Sequence, residues 1–196
     1  MKKIKEKIDF DINQLSTPFP RLGELRFPLL GQIVLVTSIS REGIPDVAPK
    51  SWISIFSSNP PIVGFGCNTN HTTAKNILST GEFVINIPGE EIVQSAWKII
   101  ELDKDDPKKI EKAELTLTKS TKISTPRIAE CKAHLECSLD WTKKYKEEIV
   151  IFGKVLLAAM DKEAVEKDVD ERYKYFKLLA YLDERTYGVI NAAKKV

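Results

Sequence analysis

The sequence predicts a mainly β protein, an antiparallel barrel with peripheral helices. Three observations carry this. Short runs rich in β-branched and aromatic residues recur along the chain. Turn residues separate them after few positions, and only a few segments show the helical period. With strands dominating and most connections short, closure of one antiparallel sheet is the natural way to bury the apolar faces.

The strands follow in order. Ile33 to Ile39 is a near-continuous β-branched run that suits a strand covered on both faces. Arg41-Glu42-Gly43 reads as a hairpin turn with positive φ at the glycine. The return through Asp46-Val47-Ala48 meets Pro49, which has no N–H for a ladder and belongs at an edge, a bulge or a strand end. Ser51 to Ser57 alternates and predicts a half-buried strand, ended by Asn59-Pro60-Pro61. Ile62 to Cys67 is a further strand, whose two glycines relieve crowding or admit another backbone. Thr72 or Thr73 can cap a short helix closed by Gly81, and Glu82 to Ile87 is a strand. Glu90 to Ile100 has helical spacing, and Asp103 to Lys112 reads as an exposed loop with a short helix. His134 to Trp141 and Glu147 to Met160 form a hairpin through Lys143-Lys144-Tyr145-Lys146. Asp168 to Tyr181 is expected to be an amphipathic helix, with Tyr173, Phe176, Leu179 and Ala180 on one stripe, and Thr186 to Ile190 a last strand.

The 196 residues fit one domain at roughly 100–200 residues per domain. We divide it into an N-terminal arm (1–30), a barrel (31–160), and a C-terminal helix with a closing strand (161–196). The net charge of +2 argues against nucleic acid or an acidic membrane as partner. Three cysteines exclude a full disulfide framework, and Cys131 and Cys137 lack zinc-knuckle spacing. A reducing cytoplasm is the expected location: no signal peptide is visible, and no apolar run is long enough to span a membrane.

One polar stretch stands out. From Asn68 to Asn76, small and polar residues follow a strand end and open a helix. Such a place offers free N–H groups, hydroxyls, about half a positive charge from the helix, and the full charge of Lys75. A phosphate monoester, with about −1.5 to −2 charges, suits it. The alternative is a plain helix start with a solvated lysine. It is not a Walker loop, since the glycines are missing. Ala48 to Trp52 offers extended backbone beside a proline, able to bond a flat heterocycle edge-on. Trp52 either stacks on that ring or fills core. Cys67 ends an apolar strand and reads as a small buried hydrophobe, and His134 reads as structural. No paired carboxylates, nucleophile with a base, or metal set is legible, so any chemistry falls to a cofactor.

The chain resembles the flavin reductase-like family, the FMN-binding split β-barrels of Greek-key topology that include flavoredoxin and NAD(P)H:flavin oxidoreductases. The pieces that carry the resemblance are Val34-Leu35-Val36-Thr37-Ser38, Ala48-Pro49-Lys50-Ser51, Asn59-Pro60-Pro61, His71-Thr72-Thr73-Ala74-Lys75-Asn76-Ile77, Gly81 to Pro88, Pro126 to Glu130 and His134 to Cys137. The resemblance implies a non-covalent FMN at a homodimer interface, with NADH or NADPH, or a redox protein, as electron donor. It implies ring contacts at Ala48, Pro49, Lys50, Ser51 and Trp52. Contacts around the phosphate fall on Cys67, Asn68, Thr69, His71, Thr72, Thr73 and Lys75, and Asn86 lies in the strand behind the cofactor. Tyr187 matches an aromatic near the closing strand. No side chain need act as acid or base. The chain departs from the pattern at His71, where many members have Arg or Lys, and at Glu147-Glu148, where many reductases have a His. Three roles are therefore open: an NAD(P)H:flavin oxidoreductase, a flavoredoxin-like electron-transfer protein, and a flavin-binding module without turnover.

Overall fold

The computed structural model describes residues 31–103, 106, 108–183 and 185–194. The arm expected over 1–30 lies outside the described residues. Seven antiparallel strands form the main sheet, in the order β3-β2-β6-β9-β10-β5-β4. They are β2 (Val34–Ile39), β3 (Pro45–Lys50), β4 (Ile53–Ser58), β5 (Pro61–Asn68), β6 (Glu82–Ile87), β9 (Ala133–Tyr145) and β10 (Glu148–Met160). A smaller sheet joins β1 (Gly31–Gln32), β11 (Leu178–Asp183) and β12 (Thr186–Ile190), and β7 (Leu117–Thr118) pairs with β8 (Arg127–Ile128).

The two edges of the main sheet, β3 and β4, are consecutive in the chain, with Ser51 and Trp52 alone between them. So short a link draws the edges together without pairing them, and the sheet curls into a split barrel. The split therefore falls at Lys50 to Ile53. Gly31 lies against it: a Cβ there would come 1.8 Å from the Ser51 carbonyl oxygen. Only a residue without a side chain lets β1 pass so close to that backbone.

Three clusters divide the buried apolar residues; the smallest is Ile33, Val93 and Leu179. Val34, Val36, Phe65, Ile77, Phe83, Ile85 and Ile151 fill the barrel. Leu35, Val47, Ala96, Ile99, Ile110 and Ile128 pack on the other side. Adjacent residues of β2 thus enter different cores, as the continuous apolar run predicts, and each fully buried large side chain contributes about 1.5–3 kcal/mol. The outer core is closed by α2 (Val93–Glu101, entered through a 3₁₀ turn at Glu90–Ile92) and α3 (Lys109–Lys112). The hairpin turn at Gly43 (φ 82) and the helix end at Gly81 (φ 74) fall where the sequence placed them. Gly81 closes α1 (Thr72–Thr80).

Three elements differ from expectation. The C-terminal helix α5 is short (Val169–Phe176); it follows α4 (Lys162–Val165) and ends at left-handed Lys177. Leu179 and Ala180 continue as β11, paired with β12 and, for Ala180, β1. Their spacing from Phe176 mimics a helical stripe, but a fully buried Leu179 and two strand partners outweigh local preference. The strand expected to be half-buried from Ser51 to Ser57 is more open. Ile53 packs inward, while Ile55 and Phe56 are exposed where the strand bulges between Ile55 and Ser57 at the sheet edge. Lys109 lies in the segment expected to be exposed but is buried. No helix among the described residues is long and apolar enough to cross a membrane.

Candidate functional site

The two polar segments singled out in the sequence meet at the split. The Lys50 ammonium, at the end of edge strand β3, lies beside the Cys67 thiol at the end of β5. His71 Nδ1 lies 3.7 Å from the same sulfur, and the backbone N–H of Ala74, in the first turn of α1, is directed at it. Burial raises the Cys67 pKa, although Lys50 and the Ala74 N–H act against it, so Cys67 is a buried thiol as expected.

Asn68 to Lys75 is folded by its own hydrogen bonds. Thr69 N–H donates to the Glu147 carbonyl (2.8 Å), Asn70 N–H to Asn68 Oδ1 (2.9 Å), and His71 N–H to the Asn68 carbonyl (3.1 Å). These donors are spent on shaping the loop. His71 is the N-cap of α1 through its backbone, with no side-chain cap. A helix leaves its first N–H groups without intrahelical partners. Ala74 serves Cys67, which among the described residues leaves those of Thr72 and Thr73 at the helix start. Lys75 and His71 are exposed beside them, and Thr72 is partly exposed.

The Thr73 side chain turns inward. Its hydroxyl donates to Asp46 Oδ2 (3.1 Å), and Thr73 is almost wholly buried. Neither threonine caps the helix, because the N-cap position falls on His71 and puts both inside the first turn. Asn86 is also interior, with no exposed surface. Its amide donates to the Leu35 carbonyl (2.9 Å) and Thr37 Oγ1 (3.2 Å), and its oxygen accepts from Ile128 N–H (3.0 Å) and lies 2.9 Å from His134 Nδ1. Asn86 holds β6 to β2, β8 and β9 behind the split and points no polar atom toward it.

On the proposed ring side, Ala48, Pro49 and Lys50 lie on edge strand β3, which among the described residues pairs only with β2. Trp52 is 53% exposed and lies over Gly66, where a Cβ would come 3.0 Å from the indole. The sequence left Trp52 between stacking and core; it is a half-exposed platform. Tyr187 packs against Trp97 at 6.0 Å between ring centroids, away from the split.

Several residues that matter here were not legible. Asp46 and Lys109 form a buried ion pair beneath α1; an Asp in a short strand and one lysine in a charged run carry no mark of pairing. Glu148 lies opposite Asn68, whose amide donates to Glu148 Oε1 (3.3 Å), so a carboxylate stands at the rim of the polar loop. On the outer face, Trp141 stacks on Phe152 (3.7 Å between centroids) and Phe56 meets Phe152 edge-on (4.9 Å). Phe56 and Trp141 are exposed, so this aromatic cluster opens to the surface.

The fold is that of a split-barrel domain, with the start of α1 and the edge strand β3 at its seam. The sequence matches the flavin reductase like domain over residues 28–189, and the chain belongs to that family. A protein of Aquifex aeolicus is 30% identical over 157 residues, which is 78% of this chain and 80% of that protein. Nitrilotriacetate monooxygenase component B from Bacillus cereus superposes with a TM-score of 0.87 at 20% identity, over 98% of this chain and 100% of that one. Flavoredoxin of Desulfovibrio vulgaris (Miyazaki F) gives 0.76 at 17% identity, over 86% and 91%. At such identities these two structures speak for the fold.

The residues present fit FMN in their chemistry. Two N–H groups at a helix start, the Thr72 hydroxyl and the exposed Lys75 suit a phosphate, and a free strand edge with a half-exposed indole suits a flat polar ring. Glu148 is the feature that opposes an anion.

Proposed function

We propose that this protein is an FMN-dependent oxidoreductase that takes hydride from NADH or NADPH. The observation that carries the reading is the meeting of Lys50 and the start of α1 around Cys67 at the split of the barrel, where one ligand could span both segments. Thr72, the Thr73 N–H, Lys75 and His71 would hold the phosphate, and the β3 edge from Ala48 to Lys50, with Ser51 and Trp52, would hold the ring. Bound FMN would supply the hydride chemistry. The residues of the chain bind, orient and shield; no side chain is assigned a proton transfer. We also propose one domain in a cytoplasmic homodimer. The segments proposed to hold FMN would form an open shelf, and two clefts of the chain lie elsewhere, one beside Pro45 and Ile110 and one beside Ile87 and Phe176. A second copy against Phe56 and Trp141 would wall the shelf and cover the aromatic face.

One observation favours a second reading. Glu148, bonded to Asn68 at the rim, puts a negative charge where an anionic nicotinamide cofactor would approach. In that case the protein passes electrons between FMN and a redox protein, as a flavoredoxin-like carrier.

The test is the visible spectrum of the purified protein, before and after anaerobic NADH and NADPH. Flavin absorption that bleaches with either nucleotide supports the oxidoreductase. Bound flavin reduced only by a reduced iron–sulfur protein supports the carrier, and flavin reduced by neither leaves a binding module. A protein that takes up no added FMN refutes all three. Lys75→Ala should weaken FMN about tenfold or more and riboflavin little, as loss of one charge-assisted contact to phosphate requires. Equal loss for both ligands would remove Lys75 from the phosphate site.

A further inference from the structure

β6 ends on Ile87, opposite Ala133 at the start of β9. There β1, β11 and α5 meet the main sheet around a cleft of about 370 Å³. Ile87, Ala133, Phe176 and Leu178 give it apolar walls, while Gln32, Arg172 and Tyr173 bring polar groups to it. The volume and the mix, mostly apolar with a few polar groups, are those of a small-molecule site. α5 supplies Val169, Arg172, Tyr173 and Phe176 at helical spacing, so one stripe of the helix faces the cleft. Its acidic residues Asp170 and Glu171 lie off that stripe, and Glu171 pairs with Lys174. Phe176 is buried, whereas Val169 is 54% and Tyr173 36% exposed, so the stripe leaves apolar surface open to solvent.

Arg172 is held in place. Its Nε donates to the Ala164 carbonyl (3.0 Å), and its Nη2 donates to the carbonyls of Val165 (3.4 Å) and Lys167 (3.1 Å), at and just beyond the end of α4. These bonds fix the guanidinium plane and leave the Nη1 N–H pair without an acceptor among the described residues. A guanidinium already held loses little further freedom on binding, and its donors match a carboxylate. The Gln32 amide and the Tyr173 hydroxyl add neutral donors for a second oxygen. One fixed cation beside apolar walls suits a single negative charge on an apolar body; a dianion would keep charge uncompensated against Ile87 and Leu178. We propose that this cleft binds a small monocarboxylate with an aromatic or short aliphatic body, its carboxylate on Arg172 and its body against Phe176 and Leu178. The site adjoins the segment proposed for the flavin ring, since Gly31, the residue before Gln32, meets the Ser51 carbonyl. Its residues are nonetheless distinct from those proposed to hold FMN, and its ligand binds without flavin.

The test is an NMR titration of the full chain, followed by backbone amide shifts, with phenylacetate, phenylacetamide and acetate as probes. Phenylacetate should shift the amides of Ala133, Arg172 and Leu178 and bind with a dissociation constant of about 1 mM or below. Phenylacetamide keeps the body and loses the charge; acetate keeps the charge and loses the body. Each should bind about tenfold or more weaker. Arg172→Gln should bring phenylacetate down to the affinity of the amide. Arg172 also ties α4 to α5, so a loss in that variant is read together with Val169→Trp. That substitution fills the cleft from an exposed position, and should weaken phenylacetate about tenfold or more while the melting temperature stays that of the wild type. Absence of amide shifts at about 10 mM phenylacetate overturns the inference. Equal affinity for acid and amide overturns it by removing the carboxylate from Arg172. Wild-type affinity in Val169→Trp, or shifts confined to other parts of the chain, overturns it by placing the ligand elsewhere.

Discussion

His134 should couple the stability of the barrel to pH, and the structure gives the size of the effect. The ring lies in β9 opposite Asn86, with Nδ1 2.9 Å from the Asn86 amide oxygen. That oxygen is an acceptor, as is shown by the Ile128 N–H it already receives, so Nδ1 carries the proton of a neutral imidazole. Burial, and secondarily the nearby Arg127 guanidinium, disfavour a second proton and bring the pKa from an ordinary 6.5 down to about 4. The unfolded chain therefore takes up a proton that the native state refuses. Stability from this group is complete above about pH 6.5 and is lost as the pH falls toward 4. Between pH 7 and pH 5, where most carboxylates are still ionised, the two pKa values imply a loss of at most about 2 kcal/mol; solvent screening of the half-buried ring brings this to about 1–2 kcal/mol. Urea unfolding at pH 7, 6 and 5 measures it. In His134→Gln, which keeps an N–H donor for Asn86 but does not titrate, that part of the slope should vanish. An unchanged slope in the variant, or an NMR titration of His134 near its ordinary pKa, would refute the reasoning.

Other perturbations test the frame around the site. Gly153→Ala would set a Cβ 2.2 Å from Phe83 Cζ in the barrel core, and should cost about 1–3 kcal/mol, read as a lower melting temperature. Glu136 is fully buried and accepts from the Thr121 and Lys122 N–H groups (2.8 and 2.7 Å) and from Arg127 Nε (2.8 Å). Burial opposes its charge, but these donors prevail and hold its pKa below the usual carboxylate range. Glu136→Gln should cost about 3–5 kcal/mol by breaking that buried pair, and should speed amide exchange at Thr121 and Lys122; equal exchange in both proteins would count against it. Phe56→Asp should shift sedimentation from dimer to monomer and weaken FMN in parallel, while a monomeric wild type would refute the proposed use of the aromatic face.

Much of the fold was legible because it depends on local pattern. The β-branched run through Val34, Leu35 and Val36 announces a strand buried on both faces, and β2 feeds two cores. Gly43 and Gly81 mark a turn and a helix end because positive φ costs glycine nothing. The polar stretch after β5 and the extended stretch around Pro49 were each visible as candidate binding segments, but nothing local says that they meet. Their meeting follows from the strand order, which brings Lys50 to Cys67.

What the sequence determined by itself is therefore the strands of the main sheet, though not β1, β7, β8 or β11, with the turns, two segments suited to a phosphate and a flat ring, and the family. What only the tertiary structure decided is which polar groups remain free to bind. Thr73 and Asn86 are spent inside the barrel, Lys109 reaches into it from a charged run, and Leu179 leaves a helical pattern for a strand. The reason is that a buried polar group must find a partner wherever the fold puts one, and partners such as Asp46 for Thr73, or Leu35 for Asn86, are distant in sequence. Periodicity records which residues are buried against one another, but not which donors are already taken.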